Sequence, residues 1–570
     1  MTTLSGAEIL IECWKKEGVE VIFGYPGAAT VDIHHHLENS GLKFILTRHE
    51  QAAVHAADGY ARSTGRPGVV LVTSGPGATN TVTGLGGANM DSVPVLVFSG
   101  QVGRMLIGND AFQEVDIVGV TRPVTKHNYL VMSTSELAQT VKEAFYVATS
   151  GRPGAVLVDL PKDVLAGQAE FDYPRKIHLR AYQPHLTPHP RQVQKAVKLL
   201  KSAKKPIIYA GGGVISSGAD EELRKLAELL TIPVTNTLMG LGGFPGTHEL
   251  SLGMLGMHGL YRANMAIQSA DLILAVGARF DDRVTGALAS FAPEAGIIHI
   301  DVDTTSIDKV LSVDVPLVAD ARQALKAILE ALGPVPDYDQ SGRRQWLEKI
   351  ANWNAKFPLT YDRTFRDGIK PQAVIEAIYR LTSGKAVIVT EVGQHQMWAA
   401  QYYIYQSPRQ FITSGGLGVM GFGLPAALGV LVARPGSTVI DISGDGSFLM
   451  NVQELTTAVE EKLPVKIAIL NNGCLGMVRQ WQELFYSRRY AATLLKHEPD
   501  FVKLAEAFGA KGLRASSFDE VEPVIVEALN SPGPVVMDFR VCPEELVYPM
   551  VPGGKGLDEM ILHRPEEPPA

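Results

Sequence analysis

The sequence is poor in cysteine, has no net positive charge and lacks long hydrophobic runs. Its three cysteines, Cys13, Cys474 and Cys542, are scattered over 570 residues, so we expect neither a disulfide scaffold nor a zinc site. A formal net charge of −8 gives no support for nucleic acid or an anionic membrane as partner. No run reaches the roughly 18 apolar residues of a membrane span, and the N-terminus does not resemble a signal peptide. We therefore expect a cytoplasmic protein.

Short apolar segments alternate with helical patterns in three successive blocks of the chain. Two proline-rich stretches, 172–190 and 333–342, separate these blocks, and an irregular stretch follows at 357–371. We predict an N-terminal domain over 1–180, a central domain over 190–335 and a C-terminal domain over 365–570. Continuous runs such as GSTVI and LILAVGA are typical of strands that are covered on both faces. The predicted fold class is therefore α/β, with three doubly wound parallel-sheet domains.

The stretch DISGDGSFLMN combines the end of an apolar strand with a Gly-Asp-Gly turn. Asp445 follows that strand between two glycines, so we expect a tight turn with its carboxylate exposed at the sheet edge. Asn472 follows the next apolar strand, 27 residues later. The carboxyl ends of neighbouring parallel strands border one crevice, so we expect both side-chain oxygens to point into it. A hard cation such as Mg²⁺ uses such oxygens and takes its remaining ligands from water and phosphate. Each residue alone is also compatible with an ordinary turn or cap.

The GDGSF and NNG segments together resemble the metal-diphosphate motif of thiamine-diphosphate enzymes. The resemblance implies that Asp445 and Asn472 bind Mg²⁺, that the carbonyl of Cys474 completes the shell, and that the metal holds the cofactor's diphosphate. Further cofactor contacts are implied at Gly393, Gln394, His395, Gly418, Met420, Gly444, Gly446 and Ser447.

Glu50 lies where an apolar strand meets an alanine-rich helix, in FILTRHEQAAVHAADGYAR. By itself it is typical of a carboxylate near the positive end of a helix dipole. In the thiamine-diphosphate enzymes a glutamate hydrogen-bonds the pyrimidine ring of the cofactor, and a buried carboxyl suits that role. The resemblance implies that Glu50 of one subunit serves the metal motif of its partner, so we expect a homodimer or a tetramer.

Five further segments narrow the resemblance to acetohydroxyacid synthase, also called acetolactate synthase, in its large catalytic subunit. They are AFQEVD, GRPGAVLVDLPKDV, LGMHG, VGARFDDRVTG and GMVRQWQELFY. The implied reaction decarboxylates pyruvate on thiamine diphosphate and condenses the hydroxyethyl carbanion with pyruvate or 2-ketobutyrate. The products, 2-acetolactate and 2-aceto-2-hydroxybutyrate, belong to branched-chain amino acid biosynthesis. A small regulatory subunit is compatible with this family.

The family resemblance also assigns residues to the substrate channel. Arg283 is implied to bind the carboxylate of the second keto acid, and Trp481 is implied to form the wall that favours the longer acid. By itself Trp481 is equally typical of a core tryptophan. Four further channel residues are implied: Phe112, Gln113, Lys162 and Met477.

The family carries FAD, which we expect in a Rossmann-like central domain between two thiamine-diphosphate-binding domains. AGGGV is a glycine turn that can bring amides near a phosphate, although the full G-x-G-x-x-G pattern is absent. The RFDDR segment alone is typical of an exposed charge cluster. The implied flavin contacts are Gly211, Gly212, Thr237, Leu238, Met257, His258, Arg279, Asp281, Arg283, Asp301 and Asp320.

Four other kinds of protein are alternatives to a biosynthetic acetolactate synthase. A flavin-independent catabolic acetolactate synthase is disfavoured by RFDDRVTG, and a flavin-containing pyruvate oxidase is disfavoured by the pair Arg283 and Trp481. A glyoxylate carboligase would lack Glu50, and a non-catalytic protein would be expected to lose Glu50, Asp445 or Asn472, all of which are present. The run of three histidines at 34–36 predicts a surface helix, because consecutive helical residues cannot all face one metal ion.

Overall fold

A computed structural model describes residues 2–334 and 336–565, and its core consists of three six-stranded sheets. Within each sheet every neighbouring pair of strands is parallel. The strands are almost wholly buried and are covered by helices on both faces. The predicted class, three doubly wound α/β domains, is confirmed. None of the described helices is long and apolar enough to cross a bilayer.

The first and third sheets have the same strand order, 2-1-3-4-6-5 when the strands of each are numbered along the chain. In spatial order the first sheet consists of Lys43–Leu46, Val21–Tyr25, Gly68–Val72, Val95–Gln101, Val156–Pro161 and His127–Leu130. The third sheet consists of Phe411–Thr413, Val387–Thr390, Val439–Gly444, Lys466–Asn471, Val535–Arg540 and Lys511–Ala515. In both, the strand order reverses between the first and third strands, and ligands bind beyond the carboxyl ends of strands at such a switch point.

The central sheet has the order 3-2-1-4-5-6, which is the arrangement of dinucleotide-binding Rossmann domains. Its strands in space are Ser251–Met254, Val234–Asn236, Pro206–Ala210, Leu272–Val276, Gly296–Asp301 and Val315–Val318. The switch point lies between Pro206–Ala210 and Leu272–Val276. The Rossmann-like topology expected for this part of the chain is therefore present.

Helices connect the strands in all three units. Those of the first are Gly6–Lys16, Val31–Leu37, Glu50–Thr64, Pro76–Thr79, Val82–Met90, Ile117–Thr121, Leu137–Thr149 and Lys162–Ala166. Those of the second are Pro190–Ser202, Gly212–Ser217, Asp220–Leu230, Tyr261–Gln268, Asp282–Thr285 and Ala321–Leu332. Those of the third are Pro371–Leu381, Gln394–Tyr402, Gly423–Ala433, Asp445–Phe448, Glu454–Glu460, Gly476–Phe485, Phe501–Ala507 and Val521–Asn530.

Local sequence explains where several of these helices begin and end. Ser5 caps the helix Gly6–Lys16 because its hydroxyl accepts from the amide of Glu8, while the Glu8 carboxylate accepts from the Ser5 amide at 2.8 Å. The helix Glu50–Thr64 ends at Gly65, whose φ of +76° lies in the left-handed region that favours glycine.

Two glycines allow the first and third units of one chain to pack closely. A Cβ added to Gly59 would lie 2.2 Å from the carbonyl oxygen of Ala426, and one added to Gly429 would lie 1.9 Å from that of Ala56. The helices Glu50–Thr64 and Gly423–Ala433 therefore touch backbone to backbone. This contact fixes the helix that begins with Glu50 against the C-terminal unit of its own chain.

A helix that the sequence pattern did not reveal, Gln340–Lys356, joins the central and C-terminal units. Its Arg343 is buried and donates to the carbonyl oxygens of Leu230 and Leu200, at the ends of two helices of the central unit. Trp346 Nε1 donates to the Pro206 carbonyl at 3.2 Å. The helix thus packs on the central unit, and the predicted boundaries 190–335 and 365–570 remain predictions.

A minor antiparallel sheet pairs Thr3–Ser5 with Gln168–Glu170. Short 3-10 turns occur at Arg104–Leu106, Arg122–Val124, Thr134–Glu136, Leu238–Gly240, Leu288–Ser290, Thr304–Ser306, Leu449–Asn451 and Phe518–Glu520.

Candidate active site

A crevice opens at the switch point of the third sheet, beyond the carboxyl ends of its strands. It comprises about 500 Å³ of empty space, part of which is open to solvent, and such a crevice is where parallel α/β sheets bind ligands. The predicted contacts that line it are Gly393, Gln394, His395, Met420, Asp445, Gly446, Ser447, Asn472, Cys474 and Met477. Sequence reasoning did not include the remaining lining residues, which are Val392, Trp398, Leu470, Leu475, Gly476 and Val478. Most of the predicted metal and diphosphate contacts thus surround one cavity.

Asp445 and Asn472 directly follow two adjacent strands at this crevice, as the spacing predicted. Asp445 Oδ1 accepts from the Gly446 amide at 3.0 Å, and Oδ2 accepts from the Gly473 amide at 2.8 Å. Asn472 Oδ1 accepts from the Cys474 amide at 3.2 Å. These bonds orient the oxygens of both side chains. The expectation that the Asp445 carboxylate would be exposed at the sheet edge is wrong, because the residue is only 2% exposed and begins the one-turn helix Asp445–Phe448.

The electrostatics around Asp445 suit a cation. Burial and the nearby charge of Glu498 raise the pKa of Asp445 to about 7. Oε1 of Glu498 is buried without a hydrogen-bond partner, while Oε2 accepts from Arg540 at 3.0 Å. A divalent ion beside Asp445 would relieve this repulsion. Glu498 was missed because its segment has no strand or glycine turn to draw attention to it.

Cys474 can contribute only its carbonyl oxygen to such an ion. Burial raises the pKa of its thiol to about 12, so the side chain is not a thiolate at neutral pH. Among residues 2–334 and 336–565, no three His, Cys, Asp or Glu side chains are grouped as a metal cluster. One carboxylate, one amide and one carbonyl leave coordination positions for phosphate and water, which is the usual environment of Mg²⁺ in proteins.

His395 presents a free nitrogen to the same crevice. Its Nε2 is buried and has no hydrogen-bond partner, and burial lowers its pKa to about 3. The neutral ring packs over Gly393 and Gly444, where an added Cβ would lie 2.7 Å and 2.9 Å from His395 Cε1. Within the same crevice, the side-chain oxygen of Gln394 accepts from Asn472 Nδ2 at 3.2 Å. An acceptor or donor on a bound phosphate would satisfy the unpartnered nitrogen.

Met420 lines the crevice from a loop, and Gly418 lies two residues before it on the same loop. Gly418 has a φ of +69°, so the turn there favours glycine. At position 418, therefore, only backbone atoms and no side chain lie near Met420. Gly418 and Gly444 are themselves not among the residues that line the cavity.

Glu50 lies outside this crevice within a single chain. It is the first residue of the helix Glu50–Thr64 and is half-buried. Its Oε2 accepts from Asn80 Nδ2 at 2.9 Å, and its Oε1 lies 3.4 Å from a Cβ added to Gly77. The expectation of a buried carboxyl is not met in one chain. The crevice is lined only by residues 392–478, so none of its described lining comes from the first unit.

The other predicted residues of the first unit lie at the same sheet edge as Glu50. Phe112 is 89% exposed, and Gln113 has a φ of +60° with its backbone packed on Gly75. Lys162 directly follows the strand Val156–Pro161 and begins a short helix. An exposed phenylalanine and a half-buried carboxylate at one edge leave this face of the chain open to a partner.

A second cavity lies between the central unit and the C-terminal tail. It is lined by Met257, Asp282, Arg283, Gly286, Val551, Pro552, Gly553, Gly554 and Leu557. The Arg283 guanidinium is 66% exposed and lies 3.4 Å from Asp282. Trp481 approaches from the other side, with its ring 3.7 Å from a Cβ added to Gly553. Arg283 and Trp481 therefore flank the same segment of the tail.

The predicted flavin contacts are distributed around the carboxyl edge of the central sheet. Gly211 follows one strand of the switch point, and an added Cβ there would lie 2.2 Å from the Gly277 carbonyl oxygen on the other. Some polar groups already have local partners, since Thr237 Oγ1 accepts from Gly240 at 2.9 Å and Asp320 caps the helix Ala321–Leu332. The other predicted contacts are Gly212, Leu238, Met257, His258, Arg279, Asp281, Arg283 and Asp301. The glycine turns fit a phosphate approached by backbone amides.

The three histidines at 34–36 lie on the short helix Val31–Leu37 at the surface. His34 stacks edge-on against Phe44 at 4.9 Å between ring centroids, and His35 is exposed. The predicted surface helix is confirmed.

Three family models match successive parts of the chain. "Thiamine pyrophosphate enzyme, N-terminal TPP binding domain" matches residues 4–120, the corresponding "central domain" matches 193–328, and the "C-terminal TPP binding domain" matches 391–539. Each match contains most of one of the three sheets. The crevice with Asp445 lies in the part matched by the C-terminal model, and Glu50 lies in the part matched by the N-terminal model.

Curated relatives match the chain along its whole length. "Acetolactate synthase isozyme 3 large subunit" of Escherichia coli (strain K12) is 51% identical, over 99% of this chain and 100% of that protein. "Acetolactate synthase large subunit" of Haemophilus influenzae is 49% identical, over 100% of both chains. "Acetolactate synthase" of Mycobacterium leprae is 50% identical, over 98% of this chain and 90% of that protein.

Proposed function

The chain belongs to the acetolactate synthase large subunits, a family of thiamine pyrophosphate enzymes, and on that premise we propose how its residues perform the reaction. Acetolactate synthesis releases carbon dioxide from pyruvate and joins the two remaining carbons to a second 2-keto acid. The protein is a thiamine-diphosphate-dependent transferase of branched-chain amino acid biosynthesis. With pyruvate as second acid the product is 2-acetolactate. We propose that 2-ketobutyrate also reacts and gives 2-aceto-2-hydroxybutyrate.

The crevice in the third sheet fits Mg²⁺ and a diphosphate. Oxygens of Asp445 and Asn472 and the carbonyl of Cys474 would hold the metal, and the unpartnered Nε2 of His395 would meet a phosphate oxygen. Burial and the charge of Glu498 raise the pKa of Asp445, and a divalent cation held there would favour its ionised form. When bound, thiamine diphosphate supplies a nucleophilic carbon and an electron sink, which protein side chains do not offer.

Glu50 is proposed to hold and move a proton at the pyrimidine ring, from the partner of the chain that holds the diphosphate. This proposal is supported by its half-buried position at an open edge and by the absence of residues of the first unit from the described lining of the crevice. Exposed apolar side chains occur around both regions, which favours burial against a second copy. They are Met105, Leu106 and Phe112 in the first unit, and Leu417, Leu449, Met450 and Val478 in the third.

Arg283 and Trp481 are proposed to select the second keto acid. The exposed Arg283 guanidinium offers a carboxylate two parallel donors, and the Trp481 ring offers an apolar wall across the tail segment around Gly553. Phe112, Gln113 and Lys162 would complete the channel from the partner. Their position at the same open edge as Glu50 supports this assignment.

FAD is proposed to bind at the carboxyl edge of the central sheet. The Rossmann strand order and the close glycine turns at Gly211 and Gly277 support a dinucleotide there. The residues for which we propose flavin contacts are the eleven given from the sequence. We also propose a small regulatory subunit as partner, as the term "large subunit" in the names of the relatives suggests, and a cytoplasmic location, supported by three free cysteines.

The single observation that carries the proposal is the crevice in which Asp445, Asn472, His395 and Met420 meet. The test is to incubate the purified protein with pyruvate, Mg²⁺ and thiamine diphosphate, with and without FAD, and to identify the product. We expect 2-acetolactate only when both the metal and thiamine diphosphate are present. Acetyl phosphate or acetate with reduced flavin would support a pyruvate oxidase instead, and no consumption of pyruvate would contradict the proposal.

A further inference from the structure

The loop 414–422, here called the ring loop, carries Gly418 and Met420 and is held almost entirely by side chains. Val419 donates its amide to Ser414 Oγ at 3.0 Å, and the Gly421 carbonyl accepts from Asn451 Nδ2 at 2.6 Å. The Gly418 carbonyl has no partner among the hydrogen bonds of the described residues. A loop without helix or strand hydrogen bonds keeps its shape only if such side-chain contacts are complete.

One end of the ring loop is bound by the carboxylate of Glu391. This residue directly follows the strand Val387–Thr390 and is 1% exposed. Its Oε2 accepts from the Gly421 amide at 2.6 Å, and its Oε1 accepts from the Gly423 amide at 2.8 Å. Glu391 therefore binds the amide immediately after Met420 and the first amide of the helix Gly423–Ala433, where the ring loop ends. Because the carboxylate sits on the rigid end of a central strand, it fixes the height of this part of the loop above the sheet.

The other end of the ring loop is bound by Asp91, which comes from the first unit of the same chain. Asp91 Oδ2 accepts from the Gly415 amide at 3.0 Å, and Oδ1 accepts from the Gly416 amide at 2.6 Å. Its side chain is 1% exposed and pairs with Arg62 at 2.8 Å. Arg62 also pairs with Asp58. The two carboxylates thus hold four amides, two on each side of the segment with Gly418 and Met420.

We propose that Glu391 and Asp91 are positioning residues that set the shape of the ring loop, and so the place of Gly418 and Met420 beside the thiamine ring. This inference rests on the proposed function, because the shape of the loop matters only if a ring is bound there. Neither residue lines the crevice. Both act through the backbone, so a glutamine or asparagine of the same size tests them: an amide nitrogen cannot accept the hydrogen bond that a carboxylate oxygen accepts.

The neighbourhood of Glu391 favours this role over a general stabilising one. Asp441 flanks the same glycine, since a Cβ added to Gly423 would lie 2.3 Å from Asp441 Oδ1 and 2.9 Å from Glu391 Cγ. Asp441 Oδ1 is buried without a partner. Burial raises the pKa of Asp441 to about 7, and burial with the charge of Asp441 raises that of Glu391. A pair of buried carboxylates is a costly way to stabilise a core, which indicates that the two amides held by Glu391 must be kept in place.

The test compares two ligands that share only the diphosphate. Magnesium with inorganic pyrophosphate probes the metal and phosphate contacts, and magnesium with thiamine diphosphate probes these together with the ring. We expect Glu391→Gln and Asp91→Asn to bind magnesium pyrophosphate as the wild type does in calorimetry. Each should bind thiamine diphosphate roughly 10- to 100-fold more weakly, because one charge-assisted hydrogen bond to the ring loop is lost.

Glu222→Gln is the matched control, since Glu222 is also a buried glutamate, at 6% exposure, but lies in the central unit and pairs with Arg322. It should bind both ligands normally. Unchanged thiamine diphosphate binding by both loop variants, or an equal loss of both ligands, would overturn the inference. If one variant does not fold, the other decides. Wild-type protein that binds neither ligand would instead overturn the proposed function itself.

Discussion

The assignment of Glu50 and Asp445 to one site across two subunits predicts that two inactive variants restore each other. Glu50→Gln removes a carboxylate that moves a proton, and such groups contribute about 10²- to 10⁴-fold to rate. Asp445→Asn removes the charge from a buried carboxylate that, among the residues the structure describes, is the only one lining the crevice. Each pure variant should therefore have almost no activity, although neither residue lies in the packed cores of the sheets.

The size of the recovery follows from symmetry. In a two-fold dimer each site would take Glu50 from one chain and Asp445 from the other. A mixed dimer of the two variants then has one site with both substitutions and one site with neither. Random pairing of equal amounts of the two variants makes half of the dimers mixed. About one quarter of all sites then contain both Glu50 and Asp445.

Co-expression of the two variants, followed by an acetolactate assay per mole of protein, measures this recovery. The control is a chain with both substitutions, co-expressed with wild type. If each site is shared between two subunits, that control should retain about one quarter of wild-type activity, because only pure wild-type dimers have intact sites. If each site lies within one chain, the control should retain about one half. Activity that stays at the level of the single variants in the first mixture, together with one half in the control, would refute the shared site.

Three further predictions concern other parts of the molecule. Trp481→Leu should lower the preference for 2-ketobutyrate over pyruvate about tenfold, since one methylene in an apolar pocket is worth about 1–3 kcal/mol; the product ratio in competition measures it. Asp159 is buried and its pKa is raised to about 7, so its contribution to stability is fully present below its unfolded pKa near 3.9 and is lost as the pH rises to about 7. Asp159→Asn should therefore flatten the fall in urea stability between about pH 4 and 7. Gly429→Ala would place a Cβ 1.9 Å from the Ala56 carbonyl oxygen and should lower the free energy of unfolding, measured by thermal unfolding, by about 1–3 kcal/mol. The control Gly533→Ala, whose added Cβ would have no neighbour within 4 Å, should leave this free energy unchanged.

The sequence was sufficient for the parts of the site that stand at strand ends. Asp445, Asn472 and His395 each follow a buried parallel strand, and the carboxyl ends of such strands meet at one edge whatever the helices between them do. The same rule covers the glycine turn at Gly211. Fold class was predictable for the same reason, since continuous Val and Ile runs leave few alternatives to covered parallel sheets.

Burial of individual carboxylates was not predictable, because it depends on packing between units and between chains. Asp445 was expected to be exposed and is buried, whereas Glu50 was expected to be buried and is half-exposed in one chain. A strand end determines where a side chain starts, but not what covers it. For Asp445 the cover is local, from the segment around Glu498. For Glu50 the cover is proposed to be a second copy.

The residues that hold the ring loop show a further limit of sequence reading. Glu391 stands at a strand end like Asp445 and could have been flagged by the same rule, but its partners, the amides of Gly421 and Gly423, lie 30 residues or more along the chain. Asp91 bonds amides more than 300 residues away. Hydrogen bonds from a side chain to such distant backbone produce no periodicity or spacing in the sequence. Any loop that returns to the same sheet edge could offer its amides to these carboxylates. The sequence contains one related sign at this sheet edge, the acid Asp441 inside the apolar run VIDIS. Its Oδ2 accepts from the Ser443 hydroxyl, as a buried polar group must be hydrogen-bonded to offset the cost of its burial.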